Sequence, residues 1–149
     1  MIRIMLAGAV FAIGVATVAA QSDLVRERAE LMYDQGEYVY GTFNKMVRGE
    51  APYDQAKVDE GFVKLRETAR KLPALYPESA KGQAPDADYY ASAKVWENKA
   101  DFDARLAKLI KDIDENAPKA KNLDGLKDAR AAIVQTCNSC HEVYRVKKS

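Results

Sequence analysis

The chain has 149 residues, of which 23 are Lys or Arg, 22 are Asp or Glu, two are Cys and one is His. Its length fits one ordinary domain, and a composition that is 48% hydrophobic and 30% charged excludes a disordered or collagen-like chain. A formal net charge of +1 argues against nucleic-acid binding, which needs a basic excess, and a single His excludes a metal site built on two histidines.

Residues 1–20 have the pattern of a cleaved signal peptide. A basic start is followed by an uncharged apolar run over residues 4–18, and small residues precede Gln21, where we expect cleavage. The run is too short for a comfortable membrane span, although an uncleaved anchor is the alternative. We therefore expect a mature domain over residues 21–149, exported to the periplasm of a bacterium and without stable membrane insertion after signal removal.

The mature chain divides into four segments with apolar residues at three- and four-residue steps, which is typical of amphipathic helices. Pro, Gly and polar clusters separate them, Asp54 is positioned to cap the second, and the longest connection covers about residues 73–91. No alternating run is long enough to predict a strand. The predicted fold class is therefore all-α, an antiparallel up-down-up-down four-helix bundle. Its helices are expected at about 24–47, 55–72, 92–116 and 123–147.

The sequence Cys137-Asn138-Ser139-Cys140-His141, near the end of the fourth helix, carries the chemistry. Two Cys three residues apart place both sulfurs on one helix face, within reach of the two vinyl groups on one edge of a porphyrin. The next residue can then bind the iron through its imidazole. This is the spacing of c-type haem attachment. It predicts one haem c per chain, bound through thioethers to Cys137 and Cys140, with His141 as an axial ligand.

Three other interpretations exist for two Cys at this spacing. A redox-active dithiol of the thioredoxin type needs a strand before the motif and a helix that starts at its first Cys, whereas this motif lies near a helix end. A disulfide between the two Cys is the second interpretation, because an exported chain enters an oxidising compartment. A zinc site would need a fourth ligand, and the chain has no third Cys and no second His. A haem-free structural or thiol-redox bundle therefore stays as an alternative.

The residue on the other face of the iron decides the function, and elimination favours a methionine. The chain has no second His, and after signal removal its methionines are Met32 and Met46. In an antiparallel bundle the start of the first helix and the end of the fourth share one end, and Met32 and His141 each lie ~12 Å of helical rise from it. Met46 lies ~21 Å farther along the axis. The position along the bundle axis therefore favours Met32 as the second axial ligand and leaves Met46 as a core residue. Packing in the core is the alternative role for Met32.

Ligation by imidazole and thioether fills both axial positions of the iron. Such an iron is expected to be six-coordinate and low-spin, with a raised reduction potential because soft sulfur favours ferrous iron. The predicted function is a periplasmic one-electron carrier, not an enzyme, that exchanges electrons with periplasmic donor and acceptor proteins. The alternative is a five-coordinate, high-spin haem protein that binds nitric oxide or carbon monoxide.

The tail of the chain and its four-helix pattern resemble the class II c-type cytochromes, the cytochrome c' family, which attach haem near the C-terminus of a four-helix bundle. Residues 137–145 follow the family's C-x-x-C-H-x-x-aromatic-Arg pattern. Within the family, residues 21–25 leading to Leu31-Met32 are most similar to the low-spin cytochrome c-556 type. In that type the Met that matches Met32 is the sixth iron ligand, whereas high-spin members leave this face open to small gases.

The resemblance also implies contacts around the haem. Arg28 lies one turn before Met32, where high-spin relatives have an Arg that pairs with a haem propionate. Arg145 follows His141 by four residues and is expected over the proximal side; a solvated surface position is the alternative for both Arg residues. Some relatives dimerise through the outer faces of their first two helices, so the resemblance is compatible with a homodimer. Four lysines are candidates to ring the haem edge and steer an acidic partner: Lys119, Lys121, Lys147 and Lys148.

Overall fold

The computed structural model describes residues 12–82 and 88–148, with side chains described from Asp23 onward. Its first long helix is continuous over residues 12–47, because α1 (Ala12–Gly36) passes through a π-helical turn (Glu37–Thr42) into α2 (Phe43–Val47). The other helices are α3 (Gln55–Lys71), α4 (Lys94–Glu97), α5 (Lys99–Asn116) and α6 (Leu123–Tyr144), with single 3-10 turns at Leu72–Leu75, Glu78–Ala80 and Ala117–Lys119.

The four long helices pack in a ring, each against the next along the chain, with α6 closing on the first helix. This confirms the predicted all-α four-helix bundle. The core runs along the bundle axis and consists of side chains at the helical spacing seen in the sequence. The largest fully buried ones are Phe43, Leu65, Leu72, Ile113, Leu126, Ile133, Val39, Val58 and Val95.

The first bundle helix begins earlier than predicted. It was expected from residue 24, yet the described part of α1 starts at Ala12 and runs through the expected cleavage point before Gln21. Residues 1–11 of the predicted signal peptide lie outside the described residues, so cleavage after residue 20 stays a prediction. In the part of the chain that the structure describes, no helix has both the length and the apolar character that crossing a membrane requires.

The π-helical turn in the first bundle helix has a partner on α6. A π turn widens the helix and displaces a carbonyl from its usual intrahelical donor. Here Arg130 Nε donates to the Val39 carbonyl at 2.8 Å, and the Arg130 guanidinium lies 5.8 Å from the centre of the Tyr40 ring. The turn therefore ties the first bundle helix to the fourth close to the end of α1.

Side-chain caps begin two of the bundle helices. The Asp54 carboxylate accepts from the Lys57 amide at 3.2 Å, as the sequence predicted, and the Asn122 side chain accepts from the Gly125 amide at 2.9 Å. Each cap satisfies a backbone amide that has no partner within its own helix. The starts of α3 and α6 are therefore fixed locally.

The predicted third helix, 92–116, is divided in the structure. It is interrupted at Asn98, whose backbone leaves the helical conformation (φ −122°, ψ 47°), and α5 starts at the next residue. Asn is a poor residue for a helix interior because its side chain competes for backbone hydrogen bonds. On the short α4, Trp96 Nε1 donates to the Pro77 carbonyl at 2.9 Å, which ties α4 to the preceding connection.

A pair of short strands was not predicted from the sequence. β1 (Tyr89–Ala91) lies in the long connection and pairs antiparallel with β2 (Arg145–Lys147), which takes the place of the predicted last turn of the fourth helix. In this register Tyr90 is opposite Val146. Three residues are too few for a recognisable alternation of apolar and polar side chains. The pair holds the chain that follows the Cys-x-x-Cys-His motif against the connection.

Polar side chains of α5 bind α6 beside the motif. Arg105 Nη1 donates to the Ser139 carbonyl at 2.7 Å, and Arg105 Nε donates to Asp101 at 2.7 Å. The Tyr144 hydroxyl donates to the same Asp101 carboxylate at 2.5 Å. Desolvation and the bond to Asp101 raise the pKa of Tyr144 to about 12, so the hydroxyl stays a donor at neutral pH. These contacts hold the part of α6 that follows Cys137 against α5.

A second polar contact between α5 and α6 lies just before the motif. The buried Thr136 hydroxyl donates to the Asp112 carboxylate, to which Lys108 Nζ also donates at 2.6 Å. Thr136 directly precedes Cys137 in the sequence. The motif is thus held from α5 on both of its sides.

The start of α6 generates a stability prediction. A Cβ added at Gly125 would lie 2.2 Å from the Lys119 carbonyl oxygen, a backbone atom that cannot swing aside. We expect Gly125→Ala to destabilise the holoprotein by about 1–3 kcal/mol, the usual cost of overpacking, measured by urea unfolding. Gly41→Ala is the control, since its Cβ would meet nothing within 4 Å. Equal unfolding midpoints for the two variants would contradict the packing seen here.

The Tyr144–Asp101 contact generates a pH prediction. The hydrogen bond from Tyr144, followed by that from Arg105, lowers the pKa of Asp101. A carboxyl with a lowered pKa in the folded state stabilises the fold above its unfolded pKa of about 3.9 and loses this contribution as the pH falls through the folded value. Tyr144→Phe should therefore raise the Asp101 pKa and reduce the loss of stability on acidification below about pH 4. NMR titration of the Asp101 carboxyl measures this, with the exposed Tyr33→Phe as control; an unchanged Asp101 pKa in Tyr144→Phe would refute the assignment.

Candidate haem-binding site

The motif residues line two cavities at one end of the bundle, between α6 and the first helix. The outer cavity, of about 660 Å³, is bounded by Cys140 and His141 together with residues of α1, α5 and β1. The inner cavity, of about 60 Å³, is bounded by Cys137, Cys140 and His141 with Gln35 and Val39. The outer volume falls in the range of small-molecule sites, about 300–1,000 Å³. The motif thus lies at a space large enough for a cofactor.

Met32 lines both cavities together with His141. The structure therefore brings the thioether favoured by elimination and the motif imidazole to the same space, one from α1 and one from α6. Met46 is 3% exposed, belongs to the core and lines neither of these cavities. Tyr33, next to Met32 in sequence, is 67% exposed at the mouth of the outer cavity. Iron ligation by Met32 stays a prediction.

Burial determines the protonation state of the motif. Desolvation, with the nearby Arg145 charge as a smaller cause, lowers the pKa of His141 to about 4, so the imidazole is neutral, which is the form that binds metals. Burial raises the pKa of the Cys137 thiol to about 11 and also raises the pKa of Cys140. Reactive dithiols have lowered thiol pKa values. The environment therefore disfavours the thioredoxin-type alternative.

Arg28 is a buried cation on the wall of the outer cavity. It is 5% exposed, its Nη1 donates to the Leu75 carbonyl at 3.4 Å, and its guanidinium lies 4.6 Å from the centre of the Tyr76 ring. Desolvation lowers its pKa, and among the described residues no carboxylate is near enough to oppose this shift. A buried charge without a counter-ion is unfavourable. An anionic group such as a haem propionate would be stabilised here, and Arg28 is not the solvated residue that was the alternative.

Arg145 lies at the rim of the outer cavity rather than at a free helix end. Its guanidinium is 4.5 Å from the centre of the Tyr89 ring on β1, and both residues line the cavity. The wall contributed by β1 was missed in the sequence, where the only signal was a cluster of tyrosines in a long connection. The exposed Lys147 ends β2 and Lys148 follows it, so both lie near this rim.

Two of the four candidate lysines do not lie near the haem site. Lys119 and Lys121 precede α6, and Lys121 is about 24 Å of helical rise from Cys137. Lys121 Nζ instead contacts the Asp59 carboxylate at 3.1 Å, at the opposite end of the bundle. The prediction that they ring the haem edge is therefore wrong. It overlooked that the start and the end of α6 lie at opposite ends of a long helix.

Gln35 is a site residue that the sequence analysis missed. It is 6% exposed, it lines the inner cavity, and its Nε2 has no hydrogen-bond partner in the described part of the chain. The available signal was spacing, since Val25, Arg28, Met32, Gln35 and Val39 follow each other at steps of three or four. A polar residue on that stripe did not stand out as buried.

The donor set fits a covalently attached haem. The site offers two thiols one helical turn apart, a neutral imidazole beside them, and a buried cation for a carboxylate at the outer wall. Large apolar side chains from α5 and α6 complete the walls, namely Phe102, Leu106, Leu109 and Ile133.

Comparison with known proteins agrees with this site. Residues 23–145 match the family described as Cytochrome C'. Cytochrome c-556 of Rhodopseudomonas palustris is 38% identical over 149 residues, covering 99% of both chains. Cytochrome c-555 of Bradyrhizobium diazoefficiens is 35% identical over 145 residues, covering 97% of both.

Two solved structures extend the similarity to the fold. Oxidised cytochrome c556 of R. palustris superposes with a TM-score of 0.75 at 40% identity, covering 85% of this chain and 98% of that one. Cytochrome c' of the same organism gives 0.77 at 33% identity, with the same coverage of 85% and 98%. The chain therefore belongs to the cytochrome c' family of c-type cytochromes, and haem c is its cofactor.

Proposed function

We propose that this protein is a one-electron carrier whose haem c is six-coordinate and low-spin, with His141 and Met32 as the axial ligands. The observation that carries the proposal is that one cavity wall holds the Met32 thioether and another the His141 imidazole, beside the thiol of Cys140. The similarity to cytochromes c-556 and c-555 supports the same conclusion. The protein is then a carrier with no reaction of its own, and not an enzyme.

The haem, when bound, supplies an iron that alternates between the ferric and ferrous states. The chain contributes the groups that hold it: Cys137 and Cys140 as thioethers, and His141 as a neutral nitrogen donor. A Met sulfur on the other face raises the reduction potential, because it stabilises the ferrous state. With both axial positions filled by side chains, electron exchange needs little rearrangement of the protein.

Arg28 would pair with a haem propionate at the outer wall. Its burial supports this assignment, and so does the fact that no described carboxylate acts on its pKa. A cation in this position favours the added electron, since the charge of the haem becomes less positive on reduction. Arg145 at the rim would act in the same direction, more weakly because it is exposed to solvent.

The location and partners follow from the predicted signal peptide and from the charges at the rim. An exported chain in a bacterium would meet redox donor and acceptor proteins in the periplasm. Exposed basic residues in and just after β2, namely Arg145, Lys147 and Lys148, would attract an acidic face toward the haem edge. A homodimer would use the outer faces of the first two helices, as the resemblance implies.

Replacing Met32 tests the axial assignment. Met32→Ala removes the sulfur donor, so we expect a folded protein whose spectrum changes from low-spin to high-spin and whose ferrous form binds carbon monoxide. Met46→Leu is the control, because a swap of similar volume in the core changes little. Optical spectra with and without carbon monoxide measure both. A wild-type protein that is already high-spin and binds carbon monoxide would favour the gas-binding alternative instead.

Replacing Arg28 tests the propionate contact. We expect Arg28→Gln to lower the reduction potential, because a cation that favours the ferrous state is lost. Coulomb's law gives about 1–2 kcal/mol for unit charges ~8–12 Å apart at an effective dielectric constant of about 20. Arg26→Gln is the control on the same helix, since Arg26 is exposed and paired with Asp23 and Glu30. Potentiometric titration that gives equal shifts for the two variants would refute the contact.

A further inference from the structure

Gln35 is a buried polar side chain at the haem site that the proposed function leaves without a role. Its amide lines the inner cavity together with Met32 and His141, and it is 6% exposed. The amide nitrogen has no acceptor among the described residues, and it is the one buried side-chain nitrogen or oxygen for which this holds in that part of the chain. Leaving a buried donor unpaired is costly, so a partner is expected in the protein that carries its haem.

A glycine follows Gln35 on the wall of the two cavities. Gly36 lines both of them, and a Cβ added there would meet nothing within 4 Å. The helix then widens into the π turn over Glu37–Thr42. No side chain at position 36 therefore closes the space beside Gln35.

The position of Gln35 separates it from the propionate site. Arg28, the cation available to a propionate, lines the outer cavity and not the inner one, and it precedes Gln35 by about 10 Å of helical rise. Gln35 shares the inner cavity with Cys137, which lies on the thioether side of the haem. A propionate at Arg28 is therefore not the acceptor for this amide.

The thioether proposed for the sixth position of the iron is an acceptor in the same cavity as Gln35. Met32 lies three residues before Gln35, and residues at this spacing are neighbours on one helix face. A thioether sulfur is a weak hydrogen-bond acceptor. It has two lone pairs, so a sulfur that gives one to iron can accept an N–H at the other.

We infer that Gln35 is the hydrogen-bond donor of the distal haem face, with Nε2 donating to the Met32 Sδ once the haem is bound. This rests on the proposed ligation by Met32. The bond orients the thioether and withdraws electron density from the sulfur, which strengthens its preference for ferrous iron. In a chain without the Met32 thioether, the same amide faces any small ligand bound in its place.

The single variant Gln35→Leu tests the effect on ligation in the holoprotein. Leu fills a similar space and has neither an N–H donor nor an atom that binds iron, so the fold and the low-spin spectrum should persist while the reduction potential falls. The loss of one hydrogen bond should make carbon monoxide bind about two- to tenfold more tightly, because Met32 is more easily displaced. Met46→Leu serves as the control. An unchanged potential together with unchanged carbon monoxide affinity would overturn the inference.

A second measurement detects the donor directly. In the Met32→Ala background, the infrared C–O stretch of the ferrous carbon monoxide complex reports a donor near the bound ligand. Adding Gln35→Leu should shift this stretch to higher frequency, whereas adding Met46→Leu should not. A stretch that is the same with and without Gln35 overturns the inference and leaves the Met32 assignment intact.

The two proposals fail in different ways. If Met32→Ala stays low-spin and does not bind carbon monoxide, the ligation by Met32 is wrong, and the inferred bond to its sulfur is overturned with it. If the wild-type protein binds carbon monoxide readily, the C–O stretch of wild type and Gln35→Leu can be compared without the Met32 change. An upward shift then supports Gln35 as the distal donor, and no shift overturns it.

Discussion

The structure depends on one constraint: α6 must present two thiols and an imidazole to the same space that the first helix lines with a thioether. Elsewhere along the bundle the helices close on large side chains such as Phe43, Val58 and Ile113. At the motif end they stay apart around about 660 Å³. Protein cores are packed densely, and this space is lined by core side chains such as Val95 and Phe102. The haem is therefore part of the core as well as the redox centre.

Two sets of contacts hold the motif while the first helix provides the opposite wall. On the α5 side, Arg105 donates to the Ser139 carbonyl of α6, and Asp112 accepts from the Thr136 hydroxyl just before Cys137. Beyond α6, the pairing of β2 with β1 prevents the C-terminal residues from fraying away from the cavity. Support of this kind would keep the positions of the motif residues similar in both oxidation states of a bound haem, which an electron carrier requires.

The side chains of α1 that line the cavities differ in chemical type from one helical turn to the next. Arg28 offers a cation at the outer wall, Met32 a soft sulfur at both cavities, and Gln35 an amide at the inner one. These residues are one helical turn apart, so helical periodicity alone distributes them across one face of a flat cofactor. In this view the first helix determines which ligands the iron accepts, while α6 provides the permanent attachment.

The bundle and the motif could be predicted because both are encoded locally. Apolar periodicity gave the four helices, Asp54 marked the start of α3, and the Cys-x-x-Cys-His spacing identified the cofactor. The strands could not be predicted, since β1 and β2 have three residues each and their partners are more than fifty residues apart. The burial of Gln35 depends on tertiary contacts, which override local propensity. The prediction misplaced Lys119 and Lys121 because it did not apply the helical rise between the start of α6 and the motif near its end.

Proton NMR of the reduced, diamagnetic holoprotein tests axial ligation by Met32 most directly. A methyl group bound through sulfur to the iron lies over the porphyrin ring, whose ring current shifts its three-proton signal far upfield of all ordinary methyl resonances. The account predicts one such signal, assigned to Met32 and absent from a protein without that side chain. A reduced spectrum that lacks an upfield three-proton methyl signal would contradict it.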